Sequence, residues 1–93
     1  MRTIEQTSRF KRDLKREAKG QYRQILKEGF IALLATLAND RPLAEKHQDH
    51  DLSGQWAGYR ECHVKPDLLL IYCKSNPDTL QLARLGSHSE LLG

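Results

Sequence analysis

No stretch of this chain approaches the roughly 20 consecutive apolar residues that a membrane-spanning helix needs. The opening MRTIEQTSRFKRDLK also lacks the apolar core of a signal peptide, so the expected location is the cytoplasm, without a membrane anchor. Cysteine is scarce. Cys62 and Cys73 stand in separate apolar runs with no CxxC or paired Cys/His spacing, which argues against a disulfide framework or a zinc site and for two buried, reduced thiols. Internal repeats, low-complexity tracts and linkers are missing too, so residues 1–93 read as one domain. Disorder is excluded by the balance of 29% charged to 39% hydrophobic residues.

The net charge of +3 hides an asymmetry. Residues 1–27 hold nine Lys or Arg against three acids, whereas residues 28–93 hold six against nine. Arg9, Lys11, Arg12, Lys15, Arg16 and Lys19 fall on the first predicted helix and Arg23 at the start of the second. A basic face of that kind attracts phosphate backbones through long-range potential and counterion release. The same pattern also fits an ordinary solvated helix face.

Periodicity predicts a short strand at 2–6, then a helix capped by Thr7 or Ser8 whose apolar positions Phe10, Leu14 and Ala18 recur every four residues, with Gly20 at its exit. A second helix is expected over 21–38, its stripe formed by Ile25, Leu26, Phe30, Leu33, Leu34 and Leu37. So short a turn between them implies an antiparallel helical hairpin. Residues 39–55 read as a polar surface loop, with His47 solvated. Strands follow at 56–64, 68–74 and 79–85, and LLLIYC, which does not alternate, suits a central strand covered on both faces. Ser87 can cap one last helical turn. The order predicts an α+β domain, in which an N-terminal strand and a helical hairpin pack on one face of a twisted antiparallel sheet whose other face is partly open.

Alternation along WAGYRECHV places Tyr59, Glu61 and His63 on one side and Trp56, Arg60, Cys62 and Val64 on the other. If the strands around it flank 68–74, His63, Asp67, Arg84 and His88 converge near one open face, and the loop carrying His50 closes over it. Such a set suits phosphodiester cleavage. One imidazole takes the proton of a ribose 2′-hydroxyl, a second protonates the departing 5′-oxygen, an arginine stabilises charge on phosphorus, and Asp67 orients a histidine. The ribose supplies the nucleophile, so neither metal nor cofactor is required. Two other readings remain open on the residues alone: a non-catalytic RNA- or ribosome-binding module, and a metal-dependent hydrolase built on His50, His63 and His88.

The run HQDHDLSGQWAGYRECHVKPDLLLIY, with the ending LARLGSHSELLG, resembles the YafQ-type bacterial toxins of the RelE superfamily over nearly the whole chain. The shared pattern is DH before L-x-G-x-W-x-G-Y-R, then H-V-x-P-D ahead of an apolar strand ending in IY, and finally R-x-G-x-H. The resemblance implies a RelE-like fold and a ribosome-dependent mRNA interferase. Such an enzyme cuts translated mRNA in the ribosomal A site, leaves a 2′,3′-cyclic phosphate and a 5′-hydroxyl, and is silenced by a cognate antitoxin. It implies His50, His63, Asp67 and His88 as the catalytic group and Arg84 at the phosphate. His50 is then the favoured base and His88 the acid, roles that are open to exchange. The basic helix acquires ribosomal RNA of the 70S ribosome as partner. One position departs from the pattern: Leu92 stands where these toxins carry an aromatic that contacts a base, and leucine cannot stack in that way.

Overall fold

Thr7 joins the first two elements of the chain. In the computed structural model, which describes residues 1–92, strand β1 (Thr3–Gln6) runs into helix α1 (Ser8–Glu17). The Thr7 hydroxyl accepts the Phe10 N–H at 3.0 Å, capping the helix, and donates to the Ala83 carbonyl at 2.8 Å. One side chain therefore starts the helix and ties it to the last strand.

The helix expected over 21–38 is two helices, α2 (Arg23–Lys27) and α3 (Gly29–Ala38). Glu28 between them leaves helical geometry at φ −124° and ψ −75°. The bend brings Gly29 so close to α2 that an added Cβ would stand 2.5 Å from Ile25 Cδ1. Periodicity missed the break because the apolar stripe continues on both sides of it. α1 and α3 do meet as expected, the rings of Phe10 and Phe30 stacking at 6.3 Å.

Four further strands complete the sheet: β2 (His50–Asp51), β3 (Arg60–Lys65), β4 (Leu68–Asn76) and β5 (Thr79–Gly86). Their order is β1-β5-β4-β3-β2. Neighbours run antiparallel except β1, which lies parallel to β5 at one edge. Two sequence expectations are corrected here. The strand predicted from 56 begins at Arg60, because Gly54–Trp56 forms a 3-10 turn and Gly58 takes φ 91°. The loop predicted over 39–55 contributes a short edge strand, with His50 opposite Glu61 and Asp51 opposite Arg60.

β4 is buried from Leu68 to Cys73, as its unbroken apolar run implies. Leu68, Leu70 and Tyr72 join Phe10, Phe30, Leu34 and Leu37 in the helix-side core. On the far face Leu69, Ile71, Ala83 and Leu91 form a second cluster, roofed by Leu52, Trp56, Tyr59 and Leu92. Each such leucine removed from water contributes about 1.5–3 kcal/mol. The face expected to be open is thus half covered, and helix α4 (His88–Leu91) closes one side of it. Ser87 caps α4 in a reciprocal box, its Oγ accepting the Glu90 N–H at 3.2 Å while Glu90 accepts the Ser87 N–H at 2.9 Å.

Candidate active site

Strand register assembles the polar residues. His50 stands opposite Glu61, Glu61 opposite Ile71, and Ile71 opposite Arg84, in one row across four strands. Two residues along β3 lies the row His63, Leu69 and Gly86. Residues directly opposite share a face, so His50 and His63 lie on the side of the second cluster. Beyond that row, the turn after β3 carries Asp67, whose Oδ1 accepts the His88 N–H at 3.2 Å and so joins that turn to the first residue of α4. His50 and His63 therefore share one face of the sheet, and Asp67 and His88 are joined to each other beyond the His63 row.

The segment bearing His50 is pinned by polar anchors. His47 Nδ1 bonds the His63 carbonyl at 2.7 Å, so His47 is a structural tie and not the solvated loop residue expected. Gln48 turns through a left-handed backbone (φ 46°), and its carbonyl accepts from His50 Nδ1 at 2.6 Å. Asp49 accepts the Tyr72 hydroxyl at 2.6 Å and the Arg60 Nε–H at 3.3 Å, while Arg60 also reaches Asp51 at 2.6 Å. Burial, then the bond to Asp49, pushes the Tyr72 phenol upward. Burial also drives the Cys62 thiol up to about 12, with Asp49 and Glu61 adding to the effect, so this sulfur is an inert core group.

Glu61, which sequence reasoning left out of the site, lies between two of its histidines. Its Oε1 is 3.3 Å from His63 Nε2 and 3.9 Å from His50 Nε2, and its side chain is 4% exposed. The signal was present in the alternation that set Glu61 and His63 on one side of β3.

Arg84 is turned elsewhere. Its guanidinium bonds Asp13 of α1 at 2.7 and 3.3 Å. Asp13, also unforeseen, is buried and further accepts the Leu85 N–H at 3.0 Å and Arg16 at 3.0 Å. Burial would raise its carboxyl, but the Arg84 bond, the Leu85 N–H and the two guanidinium charges outweigh that and hold it below the ordinary range. Arg16 also donates to the Leu85 carbonyl at 2.9 Å. Where β1 stops, Asp13 and Arg16 thus occupy both backbone groups of Leu85 on the sheet edge. Arg9, Arg12, Arg16 and Arg84 line a cleft of about 290 Å³ around Asp13. Arg9, Lys11, Arg12, Lys15, Lys19 and Arg23 are exposed. Leu92 is half-buried against the second cluster.

Among the described residues no group of three or more His, Cys, Asp or Glu is arranged to hold a metal ion, and no helix is long and apolar enough to cross a membrane.

Residues 2–93 match the family described as the YafQ bacterial toxin of type II toxin–antitoxin systems. The chain belongs to the YafQ toxin family. It is 36% identical over 92 residues to the mRNA interferase toxin YafQ of Escherichia coli K12, covering 99% of this chain and 97% of that protein. A copper-bound mutant toxin from Helicobacter pylori superposes with a TM-score of 0.83 at 40% identity, over 99% of this chain and 100% of the other. YafQ in the Escherichia coli DinJ–YafQ complex superposes with a TM-score of 0.81 at 35% identity, over 100% of both chains. The α+β fold with its five-stranded sheet and short C-terminal helix is therefore the YafQ fold, and the protein is a toxin of the type II class.

Proposed function

We propose that this YafQ-family toxin is an endoribonuclease that cleaves translated mRNA in the ribosomal A site by acid–base chemistry that needs no metal. The observation that carries the reading is the placement of His50 and His63 on one face of the sheet about Glu61, with Asp67 and His88 joined beyond the His63 row. The 2′-oxygen attacks phosphorus as His50 takes its proton. The P–O5′ bond breaks as His88 protonates the leaving oxygen, giving a 2′,3′-cyclic phosphate and a 5′-hydroxyl. Asp67 places His88 through the backbone bond at 3.2 Å. Arg84, which pairs with Asp13 beside α1, supplies positive charge for the phosphate by exchanging one of its two bonds to Asp13 for a phosphate oxygen.

The exposed bases of α1 and its exit contact ribosomal RNA, and a cognate antitoxin silences the toxin in the bacterial cytoplasm. The Escherichia coli relative YafQ is named an mRNA interferase toxin, which supports RNA cleavage, and its toxin–antitoxin complex with DinJ supports the antitoxin partner. Primer extension on a defined mRNA in a purified translation reaction tests it, with His88→Ala and a chelator in parallel arms. In-frame cuts that require ribosomes, survive the chelator and disappear in the variant are expected. Cuts abolished by the chelator would replace this chemistry with a metal-dependent one. No cuts, with ribosome binding intact, would leave a non-catalytic ribosome-binding module.

A further inference from the structure

Helix α4 is a single turn, too short to hold its own geometry, yet it carries His88 as its first residue. Within the turn, Ser87 and Glu90 cap one another. Three points then fix it against the rest of the chain. Asp67 accepts the His88 N–H at 3.2 Å, Leu91 is buried in the second cluster, and Glu90 Oε2 lies 3.4 Å from Arg16 Nε of α1. The last is the sole ion pair among the described residues that ties α4 to another element. A rigid turn held at two points still rotates about the line between them, and a third point stops it.

Arg16 is itself set in place before it meets Glu90. Its Nη1 donates to Asp13 at 3.0 Å, its Nη2 to the Leu85 carbonyl at 2.9 Å and its Nε to Glu17 at 2.9 Å, which holds the planar guanidinium beside the end of β5. Gly86 lies against both side chains. A Cβ added there would stand 2.9 Å from Arg16 Nη2, 3.0 Å from Glu90 Oε1 and 3.4 Å from Leu91 Cδ2. The Gly86 backbone is outside the left-handed region, so this position takes glycine for the room it leaves and not for conformational freedom. Through that gap α1 reaches α4. Glu90 divides its carboxylate accordingly, Oε1 accepting the Ser87 N–H and Oε2 facing Arg16.

We infer that Arg16, Gly86 and Glu90 form a tether that positions His88 for RNA cleavage, so that the basic helix also holds the turn carrying the catalytic acid. The inference rests on the endoribonuclease reading above. Arg16 and Glu90 are positioning residues, acting on His88 through the turn. Their side chains are 44% and 42% exposed, so the pair contributes little to global stability and its effect is local.

Three substitutions test the tether. Glu90→Gln keeps an oxygen for the Ser87 N–H and removes the charge that faces Arg16, Gly86→Ala fills the gap, and Arg16→Gln completes a double-mutant cycle with Glu90→Gln. The readouts are single-turnover cleavage at saturating toxin in the purified translation reaction, ribosome affinity, thermal midpoint and ¹H–¹⁵N NOE values along the free toxin. Glu90→Gln and Gly86→Ala should each cut about 10-fold more slowly, within the roughly 100-fold that a displacement of about 1 Å costs. Ribosome affinity should hold for both, and the thermal midpoint should fall by no more than about 4 °C. NOE values should drop across residues 88–91 and nowhere in the sheet, a pattern that general destabilisation does not produce. The double variant should be no slower than Arg16→Gln alone. Wild-type cleavage by both Glu90→Gln and Gly86→Ala, reductions no larger than the reduction in folded protein, unaltered NOE values over 88–91, or additive effects in the cycle would each overturn the inference. A wild type that binds ribosomes and cuts nothing, while NOE values still drop in Glu90→Gln, would overturn the endoribonuclease reading and the role in cleavage with it.

Discussion

At the scale of single residues, the histidines and Asp67 were visible in the sequence because their types announce proton-transfer chemistry. Asp13 and Glu61 were not. In the sequence Asp13 is one acid on a basic helix, and only the packing of α1 against β5 shows that it binds Arg84, Arg16 and the Leu85 N–H together. Removing it leaves Arg84, 19% exposed, without its partner. Asp13→Ala is expected to cost about 3 kcal/mol, read from urea unfolding at neutral pH. The acid limb follows from the same bonds. A carboxyl held below its ordinary range in the folded state contributes stability above the unfolded value, near about pH 4, and that stability is lost as pH falls through the folded value. Wild-type stability should therefore decline below about pH 4 more steeply than that of Asp13→Ala. Equal slopes would show that Asp13 is not the group titrating there.

At the scale of elements, caps and apolar patterning were the reliable signals. Thr7 and Ser87 stand at helix starts because each hydroxyl satisfies an orphan N–H three residues on. α4 is one turn long, so its cap carries a large share of its order. Ser87→Ala should cost about 1 kcal/mol, a shift of about 4–8 °C in thermal midpoint for a domain of this size. It should also slow cleavage, since His88 is the first residue of that turn; an unchanged rate would mean that Asp67 alone holds His88 in place. The helix break at Glu28 and the strand at His50–Asp51 were illegible for a physical reason. A one-residue kink does not interrupt an apolar stripe, and a two-residue edge strand is defined by pairing to β3, not by its own propensity.

At the scale of the whole molecule, the basic charge is concentrated on one helix and its exit. The exposed bases Arg9, Lys11, Arg12, Lys15, Lys19 and Arg23 belong to α1 and its exit, and Arg16 of the same helix reaches α4, which begins at His88, through Glu90 at 3.4 Å. Charge reversal at Arg12 and Lys15 together should weaken ribosome binding and lower the slope of log affinity against log salt by about one for each phosphate no longer neutralised, leaving the thermal midpoint nearly unaltered. A slope equal to the wild type's would place the RNA-binding bases elsewhere. The amino-acid sequence by itself determined the α+β class, the central position of β4, the basic N-terminal segment and the residue types of the site, because each depends on local periodicity or side-chain chemistry. Tertiary structure alone decided that Arg84 pairs with Asp13 and that Glu61 stands between His50 and His63. Alternation along β3 sets Glu61 beside His63, but the pairings of Arg84 with Asp13 and of Glu61 with His50 join separate elements, through a register and a helix packing that no local pattern encodes.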